Sequence, residues 1–150
     1  MSLRYKSHDP LVLIGTKTAA GVTSGIALTS AYQTEGANKP TKSFTTGGYS
    51  RAVFNVLYTM GATETANSVE LKIEESTDSI NWFPVANDST SGATSTLTAR
   101  EFKFVGADAA AASISIFLDI AYKYLRVSAK ETGVVTNAGN VYTEVLLSGL

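Results

Sequence analysis

Val69, Leu71 and Ile73 alternate with Glu70, Lys72 and Glu74, and this short rhythm constrains the fold more than any other stretch. A period of two sends successive side chains to opposite faces of a strand, so this segment reads as a strand with one buried and one wet face. Ser76-Thr77-Asp78-Ser79 follows, a cluster of turn formers, and Asn81-Trp82-Phe83-Pro84-Val85 begins a second short strand. The pattern predicts a β-hairpin. It also predicts that Trp82, the single tryptophan, is buried against Val69, Leu71 and Val127.

The same rhythm recurs on both sides of this hairpin. Tyr49 to Tyr58 is apolar on both faces and reads as a central strand. Met60 to Glu64 is a turn, and Asn87 to Thr96 is a flexible Ser/Thr/Gly loop. Phe102 and Phe104 share one face of a strand over Glu101 to Val105, and Ile114, Ile116, Leu118 and Ile120 share one face over Ser113 to Ile120. Lys123 to Ala129 alternates again; Glu131-Thr132-Gly133 and Thr136 to Asn140 read as turns; Val141 to Leu147 is the closing strand. The helical competitor, Ala107 to Ala112, is too short to hold on its own and reads as a loop or a single turn. Roughly seven or eight strands separated by turn signals predict an all-β, antiparallel β-sandwich.

Residues 1–48 differ in composition, with few aromatics and many small or polar side chains. Leu11-Val12-Leu13-Ile14 and the Ile26 to Leu28 stretch are apolar enough to need cover, whereas Gln33 to Thr46 reads as loop. The organisation read here is an N-terminal segment, 1–48, and a sandwich domain, 49–150. Two roles stay open for the first segment: edge strands completing the sandwich in cis, or an extended arm that adds a strand to a partner. On the arm reading, Leu11, Val12, Leu13, Ile14, Ile26 and Leu28 are the partner-contact residues.

A chain of 150 residues suits one domain and can bury a core without staples. It has no cysteine, hence neither disulfides nor a thiolate metal site. Net charge is −1 with 17% charged residues, so there is no electrostatic footprint for nucleic acid. Such a lightly charged surface fits either an ordinary neutral β domain or one partly covered by neighbours. The N-terminus lacks a signal-peptide pattern, and no apolar run approaches the roughly 18 residues of a membrane span. Cytoplasmic synthesis is the expectation.

No catalytic constellation emerges. His8, the single histidine, neighbours Asp9, but adjacent side chains on an extended chain point apart. Glu74 and Glu75 face opposite sides of a strand, and Lys72 partly neutralises the face that carries Glu70 and Glu74. Asp78-Ser79-Ile80-Asn81 lacks the dense alternation of an EF-hand loop and reads as an Asx turn. The glycines form no phosphate-binding fingerprint, and Asn87-Asp88-Ser89 matches a glycosylation sequon by chance. The residues therefore predict no enzyme, no cofactor and no metal.

Phe54-Asn55-Val56-Leu57-Tyr58-Thr59-Met60-Gly61, the hairpin from Ser68 to Phe83, Tyr122-Lys123-Tyr124-Leu125-Arg126-Val127-Ser128-Ala129-Lys130 and the closing strand Val141 to Leu147 together resemble the small jelly-roll structural proteins of tailed bacteriophages. The likeness covers about Tyr49 to Leu150 and rests on architectural motifs. It implies a non-enzymatic virion protein, foremost a capsid decoration or cement protein that binds the major capsid protein as a homo-trimer or other homo-oligomer. It implies neither nucleic acid nor membrane as partner, and assembly in the host cytoplasm. A tail or neck component is the alternative within the class. A carbohydrate-binding β-sandwich is the alternative outside it, and would use exposed aromatics such as Trp82, Phe83, Tyr122 and Tyr142.

Overall fold

A computed structural model describes residues 10–62, 64, 66–87, 98–99, 101–105, 111–133 and 136–149. Its strands are β1 (Leu11–Ile14), β2 (Thr16–Lys17), β3 (Thr23–Ser24), β4 (Ile26–Ala27), β5 (Thr41–Thr45), β6 (Arg51–Thr59), β7 (Ser68–Ser76), β8 (Phe83–Pro84), β9 (Ala86–Asn87), β10 (Thr98–Ala99), β11 (Glu101–Val105), β12 (Ala111–Asp119), β13 (Tyr124–Thr132) and β14 (Asn140–Ser148). No helix occurs among the described residues. Two five-stranded antiparallel sheets pack face to face. In the first, β14 and β6 are central, β12 lies on the far side of β6, and β1 and β4 share the outer edge of β14. In the second, β7 and β13 are central, β5 flanks β13, and β11 and β8 share the outer edge of β7. The β-sandwich expected from the alternation is therefore the observed fold.

Period-two alternation builds the core directly. Ala52, Phe54, Val56 and Tyr58 of β6 and Val141, Thr143, Val145 and Leu147 of β14 face inward from one sheet. Val69, Leu71 and Ile73 of β7 and Leu125, Val127 and Ala129 of β13 meet them from the other. Phe44 of β5 crosses the gap to meet Phe54 edge to face, with centroids 6.1 Å apart. Such a pair adds to what area burial alone supplies.

The N-terminal third completes this sandwich. β1 pairs with β14 across a bulge between Val12 and Ile14, and Ile26 pairs with Val141. The chain then straps across to the other sheet. Leu28 N–H donates to Gly139 O at 2.8 Å, and Thr29 O and Pro40 O accept from Glu131 N–H and Ala129 N–H of β13. Leu13, Ile14 and Leu28 are buried in the shared core. Leu11 remains 42% exposed, while Val12 and Ile26 are half-buried. The six residues of the arm reading thus already have neighbours within their own chain.

Two further expectations change. Glu131 and Thr132 lie in β13 rather than in a turn, because the strand runs to Thr132 opposite Ser68. Ala111 and Ala112 belong to β12, paired with Thr59 and Tyr58; tertiary pairing overrides alanine's helical preference. The loop expected over Asn87 to Thr96 lies outside the described residues from residue 88 onward, as do His8, Asp9, the sequon beyond Asn87 and residues 107–110.

Candidate interaction surface

One end of the sandwich gathers most of the large exposed apolar side chains among the described residues. Tyr124 stands opposite both Ser76 and Thr45, and Arg51 stands opposite both Asp119 and Ser148. The connections 46–50, 77–82 and 120–123 therefore share that end. Ile80 (78%), Phe83 (56%) and Tyr122 (39%) are exposed there, with Phe117 (73%) two residues inside the end of β12. Leu11 begins β1 on the same side. Val22, in the β2–β3 ribbon, is the remaining large exposed hydrophobic among the described residues.

Local hydrogen bonds hold these connections in shape. Thr46 Oγ1 donates to the carbonyls of Tyr122 and Lys123, Thr46 N–H donates to Lys123 O, and Ile120 N–H donates to Ser50 O. Gly47 and Gly48 turn between them with φ of 62° and 85°, a left-handed conformation that glycine adopts without steric cost. In the 77–82 connection, Asp78 Oδ1 accepts from the N–H groups of Ile80 and Asn81 at 2.9 and 2.8 Å, and Asp78 Oδ2 accepts from Asn81 Nδ2 at 2.7 Å. This is the Asx turn expected from Asp78-Ser79-Ile80-Asn81. It projects Ile80 into solvent.

Two shallow hollows adjoin this end. One, about 390 Å³, is lined by Arg51, Val53, Phe117, Asp119 and Ser148 among others. The other, about 350 Å³, lies between the 46–50 and 120–123 connections, beside Tyr49 and Tyr122. Phe117, Val53 and Leu146 form one apolar rung across three strands on the outer face of the first sheet. The Arg51–Asp119 ion pair at its rim is 3.6 Å long and exposed on both sides, so it contributes little.

Trp82 departs from its expected place. It is half-buried and stacks on the guanidinium of Arg126, 4.4 Å from the ring centroid, on the outer face of the second sheet. The reason is parity. Phe83 pairs with Glu75 and Pro84 with Glu74, so the position preceding Phe83 falls in line with Ser76, on the face of Glu74 and Lys72. Turn length decides which face receives the indole, and turn length was not legible in the sequence. Trp82→Ala is accordingly expected to destabilise by only about 1 to 2 kcal/mol, the scale of a partly desolvated cation–π contact. A urea titration giving a loss above about 3 kcal/mol, the range of a buried aromatic, would contradict the stacked placement.

Beside it, three cations meet two carboxylates on that outer face. Arg126 Nη2 meets Glu74 Oε2 at 2.7 Å, Lys72 meets Glu74 Oε1 at 3.1 Å, and Lys130 meets Glu70 at 2.9 Å. Tyr32 lies under both Lys72 and Lys130, 5.0 and 4.7 Å from its ring centroid. Glu70 and Glu74 do share a face, as the alternation implied, and their cations hold them there as structural anions. Tyr142, a sequence candidate for an exposed aromatic, is 3% exposed; its hydroxyl donates to Glu144, which also accepts from Lys17 of β2. Of the four aromatic candidates, Phe83 and Tyr122 are exposed and near one another in the fold.

Sequence reading missed Glu131. It is fully buried, accepts from the Tyr58 hydroxyl and from Gly139 N–H at 2.9 Å, and ties the two sheets together. Burial together with the Glu131 hydrogen bond pushes the Tyr58 phenol above its ordinary value. Among the described residues, no group of three or more His, Asp or Glu side chains is placed to hold a metal ion.

The carboxylates set a pH dependence. The Asn81 and Ile80 N–H groups hold Asp78 well below the usual carboxylate range. The Lys17 hydrogen bond lowers Glu144 against its burial, with help from Tyr142 and Asn55. Burial works to raise Glu35, but bonds from Ser43 and Lys42 outweigh it and the net shift is downward. Burial raises Glu75, an opposing effect. A depressed folded value means that the unfolded chain binds more protons at low pH, so stability is lost as pH falls. The unfolding midpoint is expected to decline below about pH 4.5, the ordinary glutamate value, and to keep declining to pH 2. A flat or rising midpoint across that window would refute these assignments.

No protein-family model matches the chain, and no curated protein matches it significantly.

Proposed function

We propose that this chain is a non-enzymatic structural component of a tailed-phage virion, and within that class a capsid decoration or cement protein with jelly-roll connectivity. The observation that carries the reading is the gathering of Ile80, Phe83, Phe117 and Tyr122 at one end of a sandwich whose core is otherwise closed. Exposed apolar groups collected beside shallow hollows suit binding by surface complementarity. The resemblance over Tyr49 to Leu150 supplies the class of partner, the major capsid protein. A cement protein adds its binding free energy to the assembled shell by mass action, and this requires no reacting group.

Co-sedimentation with purified capsids tests the reading. The wild-type chain is expected to pellet with shells and to raise their thermal disruption temperature. Ile80→Asp and Phe83→Asp, both at exposed positions, are expected to abolish pelleting while leaving the circular dichroism spectrum unchanged. Recovery of the protein with tails and not with heads would favour the tail or neck reading. Because Phe83 and Tyr122 are exposed aromatics, a glycan array gives the carbohydrate-binding alternative its own readout; saturable binding lost in Phe83→Ala would replace the virion reading.

A further inference from the structure

Strand edges offer unpaired N–H and C=O groups, and proteins usually blunt them with short strands, bulges, proline or lysine. Three of the four sheet edges here are treated in that way. β1 and β4 are short, and β1 is bulged. β5 has five residues and carries Lys42. β8 has two residues, one of them Pro84, beside the five-residue β11. β12 is the exception. It runs nine residues, Ala111–Asp119, in unbroken register with β6, and no described strand pairs with its other edge. It has no proline and no lysine, and Asp119 is its one charged residue.

Its sequence is also complementary to itself. An antiparallel pairing of all nine residues with a second copy has its centre at Ser115. Facing positions are then Ser115 with Ser115, Ile114 with Ile116, Ser113 with Phe117, Ala112 with Leu118 and Ala111 with Asp119. Every pair keeps like faces together, as a pleated sheet requires. Ser113 with Phe117 and Ala112 with Leu118 set small against large, Ile114 with Ile116 pairs two β-branched side chains, and the two Asp119 residues stand at opposite ends with no like charge opposite them.

We propose that β12 is a dimerisation edge: it pairs with β12 of a second copy across a two-fold axis at Ser115, joining two first sheets into one continuous sheet. The partner is this chain because the strand meets its own requirements for face, size and charge, as an isologous interface must. The proposal is independent of the virion reading, and its test uses the isolated protein without capsids.

The chain has no cysteine, so single cysteines report the register cleanly. Across the axis Ser115 faces its own copy with Cα atoms about 4.5 to 5.5 Å apart, within disulfide reach. Two Ser113 residues would stand about 14 Å apart, beyond the roughly 7 Å limit. Sedimentation equilibrium of the wild-type protein is expected to show a dimer. Ser115→Cys is expected to cross-link under mild oxidation at least about tenfold faster than Ser113→Cys. Ser115→Lys, an exposed substitution that sets two cations face to face, is expected to give a folded monomer. Equal cross-linking of the two cysteine variants would overturn the proposal. So would a wild-type monomer at every concentration up to its solubility, whether a segment of the same chain or nothing at all covers the edge.

Discussion

Deleting residues 1–30 is expected to leave a chain that does not fold. The deletion removes β1 and β4 from the edge of β14 and takes Leu13, Ile14 and Leu28 out of the core. Truncating one buried aliphatic side chain typically costs about 2 to 5 kcal/mol. Three such losses are comparable to the whole stability of an ordinary domain, about 5 to 15 kcal/mol. The bared edge of β14 would add a site for aggregation. Circular dichroism and a urea titration check this directly: the truncated chain should lack a cooperative transition. A truncated protein that retains one would show that residues 1–30 are dispensable to the core, and the arm reading of Leu11 to Ile14 would then gain ground. The conservative companion is Ile14→Ala, which keeps β1 and should lose about 2 to 5 kcal/mol.

Replacing Glu131 by leucine is expected to lose about 3 to 5 kcal/mol, unusual for a change to an apolar residue of similar size. The wild-type carboxylate satisfies two buried donors, the Tyr58 hydroxyl and Gly139 N–H. Each donor left without an acceptor costs about 1 to 3 kcal/mol. The site has no slack for rearrangement: a Cβ on Gly139 would lie 2.6 Å from Glu131 Oε1 and 2.8 Å from Thr59 O. Tyr58→Phe alone should lose about 1 to 2 kcal/mol, since Glu131 then keeps one of its two donors. The double variant should lose less than the sum, because two residues in one hydrogen-bonded network couple. A double-mutant cycle by urea denaturation measures that coupling. A loss within about 0.5 kcal/mol for Glu131→Leu, the scale of ordinary surface changes, would show that the network does not hold the sheets together.

Alternation alone carried much of the fold. The inward sets of β6, β7, β13 and β14 could be read from the sequence because a strand's side-chain period is two and one face must be dry. The Asx turn at Asp78 was legible for a different reason: its hydrogen bonds are made within four residues, so local chemistry specifies it. The pairing of Glu74 with Lys72 was legible because both lie on one face of one strand, whereas Glu70 takes its cation, Lys130, from the neighbouring β13.

What the sequence could not determine were the matters settled by contacts between distant segments. Whether Leu11 to Ile14 joins its own sheet depends on β14, more than a hundred positions away. Glu131 reads as a turn residue beside Thr132-Gly133 until Tyr58 and Gly139 are brought to it, because a buried carboxylate is defined by partners that no local pattern announces. Trp82 lies on Arg126 and not in the core because the 77–82 connection sets its parity. The apolar end formed by Ile80, Phe83, Phe117 and Tyr122 is likewise a product of topology: three connections far apart in the chain meet there only after the two sheets have closed. Local periodicity thus determined strands and their faces, whereas pairing order, parity and the grouping of exposed side chains were decided by the tertiary structure, since each depends on which strand lies next to which.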